Sequence, residues 1–297
     1  MTNRPDGLRS TLVKWDEFWF RAAAPFPLAM IRILIGVLAC FQFLQYLASG
    51  PDWLGAQGFF EPETGLHFIG EGIEGTGSFY RWSILYAQPW LASSLAAIGL
   101  VASLCLMLGL GARIAPCIAW VSLCNFHHRA PLLVAPDDLL LSAALIYLMI
   151  DTGRLKWSVR PAVASGEPRG SANVVIRLFQ CHFWIWIAFS LTSMLSFPVW
   201  WNGQAAWILI QDRHGWLALP NDWESPGLGM THLVIALQVA ILFCMLQPTC
   251  HWLGRWMLYA FLLFILLLTG DWMYAASLLA YSLAIWPISF KNTQGTS

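Results

Sequence analysis

Apolar stretches close to the roughly twenty residues needed to cross a bilayer recur from Leu28 to the end of this chain. A segment in lipid has no water for its peptide groups, so its backbone must be helical or close into a barrel. The alternating pattern of an outer-membrane barrel is absent, which leaves helices. Composition agrees: 58% of the residues are hydrophobic and 11% charged, against about 25% charged in an ordinary soluble domain. A soluble globular enzyme is thereby excluded. The formal net charge is zero and no basic face is gathered, so the expected partner is the lipid bilayer and not nucleic acid.

The expected class is all-α, a polytopic transmembrane helix bundle of about eight spans preceded by an N-terminal interfacial amphipathic helix. In residues 8–24, Leu12, Trp15, Phe18 and Trp19 fall at helical spacing between Arg9, Lys14, Asp16, Glu17 and Arg21. That pattern is an interfacial helix and not a secretory signal. The division is 1–25 for this helix, 26–290 for the transmembrane domain and 291–297 for a short cytoplasmic tail. Spans are expected at 27–47, 89–110, a short third ending near Phe126, 138–150, 174–195, 230–246, 253–268 and 272–288, with a half-helix at 203–210 too short to cross. The eighteen tryptophans favour segment ends, where such rings sit well at headgroup depth.

With eight spans, the basic residues of the N-terminus, Arg113, the 151–173 loop, Arg255 and Lys291 all fall on one side. The positive-inside rule makes that side, and both termini, cytoplasmic. The loop carrying Asp52, Glu61, Glu63, Glu71 and Glu74, and residues 197–229, then face outward. No internal repeat is apparent, which disfavours an inverted-repeat transporter. The seven cysteines lie in or beside apolar runs with no C-x-x-C pair and read as small hydrophobes.

Ionisable residues at membrane depth are functional candidates by default, each with a plainer alternative. Arg32 and Arg177 lie one turn inside the cytoplasmic ends of their spans and can snorkel to the headgroups, or take an interior ion pair or an anionic ligand. Asp137 and Asp138 follow Pro136 where acids cap a helix. They also join His127, His128 and Arg129 across one short turn, a cluster of acid, base and cation on the outer face. Metal-ligand spacing is absent there, so zinc is not expected. In the fifth span His182, Phe189, Ser193 and Ser196 share one seam, where His182 is either a proton carrier or a partner for a neighbouring helix. Asp271 follows Gly270 at a turn and reads as a cap. No nucleotide or hydrolase fingerprint is present.

Larger segments carry a further signal. Arg32-Ile33-Leu34-Ile35-Gly36 opens the first span and is followed by Trp53-Leu54-Gly55-Ala56-Gln57-Gly58-Phe59-Phe60-Glu61-Pro62. Next come His128-Arg129-Ala130-Pro131-Leu132, Asp137-Asp138-Leu139-Leu140 and Gly153-Arg154-Leu155-Lys156-Trp157-Ser158-Val159. Last are Arg177-Leu178-Phe179-Gln180 and Trp200-Trp201-Asn202-Gly203-Gln204-Ala205. Taken in order, these resemble the horizontally transferred transmembrane (HTTM) family, bacterial relatives of the membrane part of vitamin K-dependent gamma-carboxylase. The family's run of Arg-x-Pro, Asp-Asp and Trp-Ser-x-Asp is matched except that Arg160 stands in place of the acid.

The resemblance implies a multi-pass bacterial inner-membrane protein. In the carboxylase branch a fifth-span lysine is the base, and here that position is Ser193, which cannot replace a desolvated amine. Gamma-carboxylation is therefore not expected, and the carboxylase's large extracytoplasmic domain has no counterpart in the sequence. Leu268-Thr269-Gly270-Asp271-Trp272 is similar to lipase maturation factors. The resulting expectation is maturation or modification of a secreted peptide or protein at the outer face, with His128, Arg129, Asp137, Asp138 and His182 as candidate catalytic residues. The alternatives are a redox enzyme binding an isoprenoid quinone between helices, or an accessory subunit of a larger membrane complex.

Overall fold

The computed structural model describes residues 6–55, 58–60, 82–153, 167–212 and 224–285. The expected acidic stretch 61–81, the basic stretch 154–166, residues 213–223 and the C-terminal tail lie outside them. The described backbone is helical, with one isolated antiparallel bridge between Ala23 and Arg169. Its helices are α1 (Asp6–Phe20), α2 (Phe26–Leu54), α3 (Ala92–Leu108), α4 (Ile114–Arg129), α5 (Pro136–Ile150), α6 (Gly170–Ser196), α7 (Pro198–Trp201), α8 (Ala205–Asp212), α9 (Glu224–Leu246), α10 (His251–Thr269) and α11 (Trp272–Ile285).

Each expected span falls on a helix, but lengths divide them. Phe26–Leu54, Pro89–Leu108, Gly170–Ser196 and Leu228–Leu246 are long and apolar enough to cross a membrane. Helices α4, α5 and α11 are shorter, and the apolar part of α10 is His251–Leu267. At 1.5 Å per residue the 16 residues of α4 and 15 of α5 extend roughly 24 and 22 Å, against about 30 Å of hydrocarbon. By length and composition the described residues hold four candidate crossings, where the sequence pattern suggests about eight.

The chain forms two compact units, Met1–Arg177 and Leu178–Ser297. In the first, α2 and α3 run antiparallel and close, because the contacting residues are small. Buried Ala92, Ala96, Gly99 and Ser103 make a stripe along α3, the kind of face that lets backbones approach in lipid. A Cβ on Gly36 would lie 2.9 Å from the Met107 backbone, and one on Gly99 would enter the Phe43 ring. Gly109, at φ 74°, ends α3 in the left-handed conformation. The amides of Gly109 and Leu110 bond back to Leu106 and Cys105, a Schellman closure that satisfies the helix's last carbonyls. The chain then reverses through α4 and α5 and returns to the start of α2, where Gly153 packs on the Leu28–Ala29 backbone.

At that same end, α1 is tied to the start of α6. Asn173 Nδ2 donates to the Phe18 and Trp19 carbonyls at 2.8 and 2.9 Å, and Arg177 Nε to Phe18 at 3.2 Å. These donors take up C-terminal carbonyls that a helix cannot satisfy itself. The outer surface of α1 leaves Leu12, Val13, Trp15 and Phe20 exposed.

In the second unit α9, α10 and α11 follow one another through short turns, the last at Gly270 with φ 69°. The eight-residue α8 occupies the place of the expected half-helix. It is fixed by Thr231 Oγ1, which donates to the Gly203 carbonyl at 2.7 Å and accepts from Ala206 N at 3.0 Å.

Candidate functional site

The five residues of the expected outer cluster lie at one end of the first unit, at the end of α4 and the start of α5. His127, His128 and Arg129 form the last turn of α4, beyond its apolar run, where cations complement the negative helix end. Pro136 fits the first turn of α5, since the N–H it lacks would find no partner there. Asp138 Oδ2 accepts from Ala135 N at 2.9 Å, so one carboxylate oxygen caps the helix. The other, Oδ1, lies 3.5 Å from His127 Nε2. The capping and clustering readings of Asp138 are therefore compatible: the same carboxylate does both. Asp137 is buried beside it.

Arg129 is the most enclosed charge of this end, with a relative exposure of 0%. Its Nη2 donates to the Phe60 carbonyl, and its guanidinium lies 5.1 Å from the Tyr86 ring centroid, a cation–π contact. Tyr86 is itself held by donating to the His128 carbonyl at 2.9 Å. Nε and Nη1 of Arg129 are buried without a hydrogen-bond partner among the described residues. A buried donor left so costs about 1–3 kcal/mol, and more when charged.

The cluster is recessed beside α2. Tyr46 stacks on Phe126 at 4.2 Å and lies within electrostatic reach of Asp138 and Asp137. From Tyr46, α2 continues to Leu54, roughly 12 Å further at helical rise. The chain then folds back, with Phe59 and Phe60 amides bonded to the Asp52 and Trp53 carbonyls at 2.9 Å each. Burial lowers the proton affinity of His128, and neighbouring His127 adds to that. The His128 ring meets Trp82 edge to face at 5.6 Å. Burial raises the Tyr86 phenol, with Arg129 opposing it. The arrangement offers an imidazole 3.5 Å from a carboxylate for proton transfer and, at the same end, a buried cation for an oxyanion. Among the described residues no group of three His, Cys, Asp or Glu is placed to hold a metal ion.

The remaining expected residues lie elsewhere. His182 belongs to the second unit, where its Nδ1 is 3.2 Å from the Tyr281 hydroxyl of α11. The interhelical reading of His182 therefore has a named partner. Along the same seam Phe189 is 73% exposed, and Ser193 and Ser196 are exposed as well. Asp271 Oδ1 accepts from Tyr274 N at 3.1 Å, a helix cap. Arg32 is 1% exposed, so its guanidinium does not snorkel; it is enclosed near the α2 start. Arg177 caps α1 and lies 4.3 Å over the Phe18 ring.

Sequence reasoning missed three participants. Phe60 contributes only a carbonyl, which no side-chain pattern announces. Tyr86 sits in a non-span segment 43 residues from Arg129. Asn125 anchors that segment, accepting from Ile84 N at 2.9 Å while its own carbonyl accepts from Ser83 Oγ at 2.7 Å. Of these, Asn125 left a readable signal: a polar amide in an apolar run just before the cluster. Against protein-family models, curated proteins and solved structures alike, the chain has no match.

Proposed function

We propose that this chain is an HTTM-like multi-pass protein of a bacterial inner membrane, with about eight crossings and both termini cytoplasmic. Its recessed cluster would act in the maturation or modification of a secreted peptide or protein. The observation that carries this reading is the His127–Asp138 contact, at the same end of the first unit as the buried Arg129. That end is opposite the one bearing Arg113, Arg169 and Arg177. Basic residues belong to the cytoplasmic side, so the cluster's end is the outer one. The exposed apolar residues of α1 suit an interfacial placement at the cytoplasmic surface.

In this reading Asp138 faces His127 Nε2 at 3.5 Å, and His127 serves as the proton-transfer group. Arg129 supplies the positive charge. Gamma-carboxylation is not part of the proposal, since Ser193 provides no base and lies in the other unit. The test is a chromosomal Asp138→Asn replacement, with the secreted peptides and proteins compared by mass spectrometry. Accumulation of one unprocessed precursor supports the reading. An unchanged secreted set, with the variant present in the membrane at normal level, sinks it.

One observation favours a second reading, an isoprenoid quinone held among helices of the second unit. His182 and Tyr281 place a polar pair amid apolar neighbours, the few-polar-groups setting such a ligand needs. Organic extraction of gently purified protein separates the two: quinone near one per chain that disappears on His182→Phe replacement favours the redox enzyme. Its absence leaves the maturation role, or an accessory role if a fixed partner co-purifies.

A further inference from the structure

We infer that Arg129 is the anchor for a carboxylate group of the substrate, an assignment that rests on the outer end of the first unit being the working face. A guanidinium has five N–H donors: one on Nε and two on each Nη. Nη2 is engaged by the Phe60 carbonyl, while the three N–H groups of Nε and Nη1 have no acceptor among the described residues. No carboxylate of the described residues forms an ion pair with Arg129; Asp138 gives Oδ2 to Ala135 N and has Oδ1 3.5 Å from His127 Nε2. Enclosed positive charge with three idle donors calls for an acceptor that brings negative charge, since neutral oxygens would leave the charge uncompensated.

The surroundings select among oxyanions. A carboxylate brings one charge, matching that of the enclosed guanidinium, and two coplanar oxygens suited to paired N–H donors, whereas a phosphate dianion would leave one charge unmatched. Access does not require deep opening. Phe60 and Tyr86, two residues in contact with the guanidinium, are each only partly buried. The carboxylate can be a peptide's C-terminal group or an Asp or Glu side chain; both present the same chemistry.

The experiment follows the Arg129 Nε resonance of 15N-arginine-labelled protein in nanodiscs, assigned with R129K, while sodium acetate, acetamide or phosphate is added. Acetate is expected to give a saturable shift, acetamide none, and phosphate a weaker one. R129K should bind acetate roughly ten- to a hundredfold more weakly, the worth of one to two charge-assisted bonds. If the variant does not fold, the same contrast is read on the unaltered protein, as protection from thermal unfolding by acetate and not by acetamide. Short peptides ending in a free or an amidated C-terminus, with Glu or Gln inside, then identify which carboxylate binds. No saturable shift, equal response to acetate and acetamide, or tighter binding of phosphate would each overturn the assignment. So would an Arg129 signal already at its shifted position that moves on Glu61→Gln or Glu63→Gln replacement, because the chain's own acid would then fill the site. Acetate binding in a protein whose Asp138→Asn replacement leaves secretion unchanged would retire the maturation role and keep the carboxylate site. A processing defect without acetate binding would do the reverse.

Discussion

The two units solve the problem of polar groups in an apolar bundle in different ways. In the first, charge stands near helix ends, and its partners include backbone groups: Arg129 with the Phe60 carbonyl, Asp138 with Ala135 N and Arg177 with the Phe18 carbonyl of α1. In the second, neutral side chains pair with one another across helices: His182 with Tyr281, Trp186 with Tyr274 at 3.0 Å, and Gln238 with Ser190 at 3.3 Å. The difference follows from where each kind of group can stand. A full charge at the bilayer centre costs several kcal/mol, so charges gather at ends where unsatisfied backbone groups await partners. A neutral hydrogen bonder has a side chain within reach on the next helix.

This contrast predicts a graded series, read as unfolding free energies of the purified protein in mixed micelles by steric trapping. The largest loss is expected in the first unit from Gly36→Val. Its side chain would meet the Met107 backbone, which cannot rotate away, at a cost of about 3 kcal/mol. A loss as small as a surface change would mean that α2 and α3 do not depend on this close approach.

Next comes Asp138→Ala, which leaves Ala135 N without its acceptor and removes the carboxylate 3.5 Å from His127 Nε2, and should cost about 2 kcal/mol. Asp138→Asn keeps an oxygen for Ala135 and should recover part of that loss while still failing in secretion. If both variants are equally stable and equally active, Asp138 is a cap alone. In the second unit Tyr281→Phe should cost only about 0.6 kcal/mol, the usual worth of an interhelical hydrogen bond in lipid. A loss matching that of Asp138→Ala would erase the distinction between the units.

The smallest effect concerns pH. Because burial depresses the His128 imidazole, the unfolded chain binds its proton first as the pH falls below about 6.5. Stability from this group is therefore complete above that pH and is lost as acid approaches the folded-state value. Thermal unfolding between pH 7.5 and 5 should show a decline that His128→Gln flattens. An unchanged slope would mean that His128 titrates alike in both states.

Much of this architecture is written in local pattern. Apolar runs of about twenty residues placed the helices, Gly109 and Gly270 marked turns, and Pro136 with Asp137 and Asp138 announced a helix start. The His127–Asp138 contact was legible because a short turn keeps sequence neighbours near in space. Phe60 and Tyr86 were not, since both reach Arg129 across long separations, one through a carbonyl that any residue could offer. Arg32 misled for a related reason. Snorkelling is a property of a single helix in lipid, and packing inside a bundle removes the route to water.

The sequence by itself determined that the chain is helical and apolar enough for a bilayer, because those properties sum over residues irrespective of their neighbours. Only the tertiary structure decided which polar groups find partners. An N–H or a carboxylate is stable in an apolar interior only at hydrogen-bond distance from its complement. That distance is set by how α2 to α5 pack and not by the order of residues along any one of them.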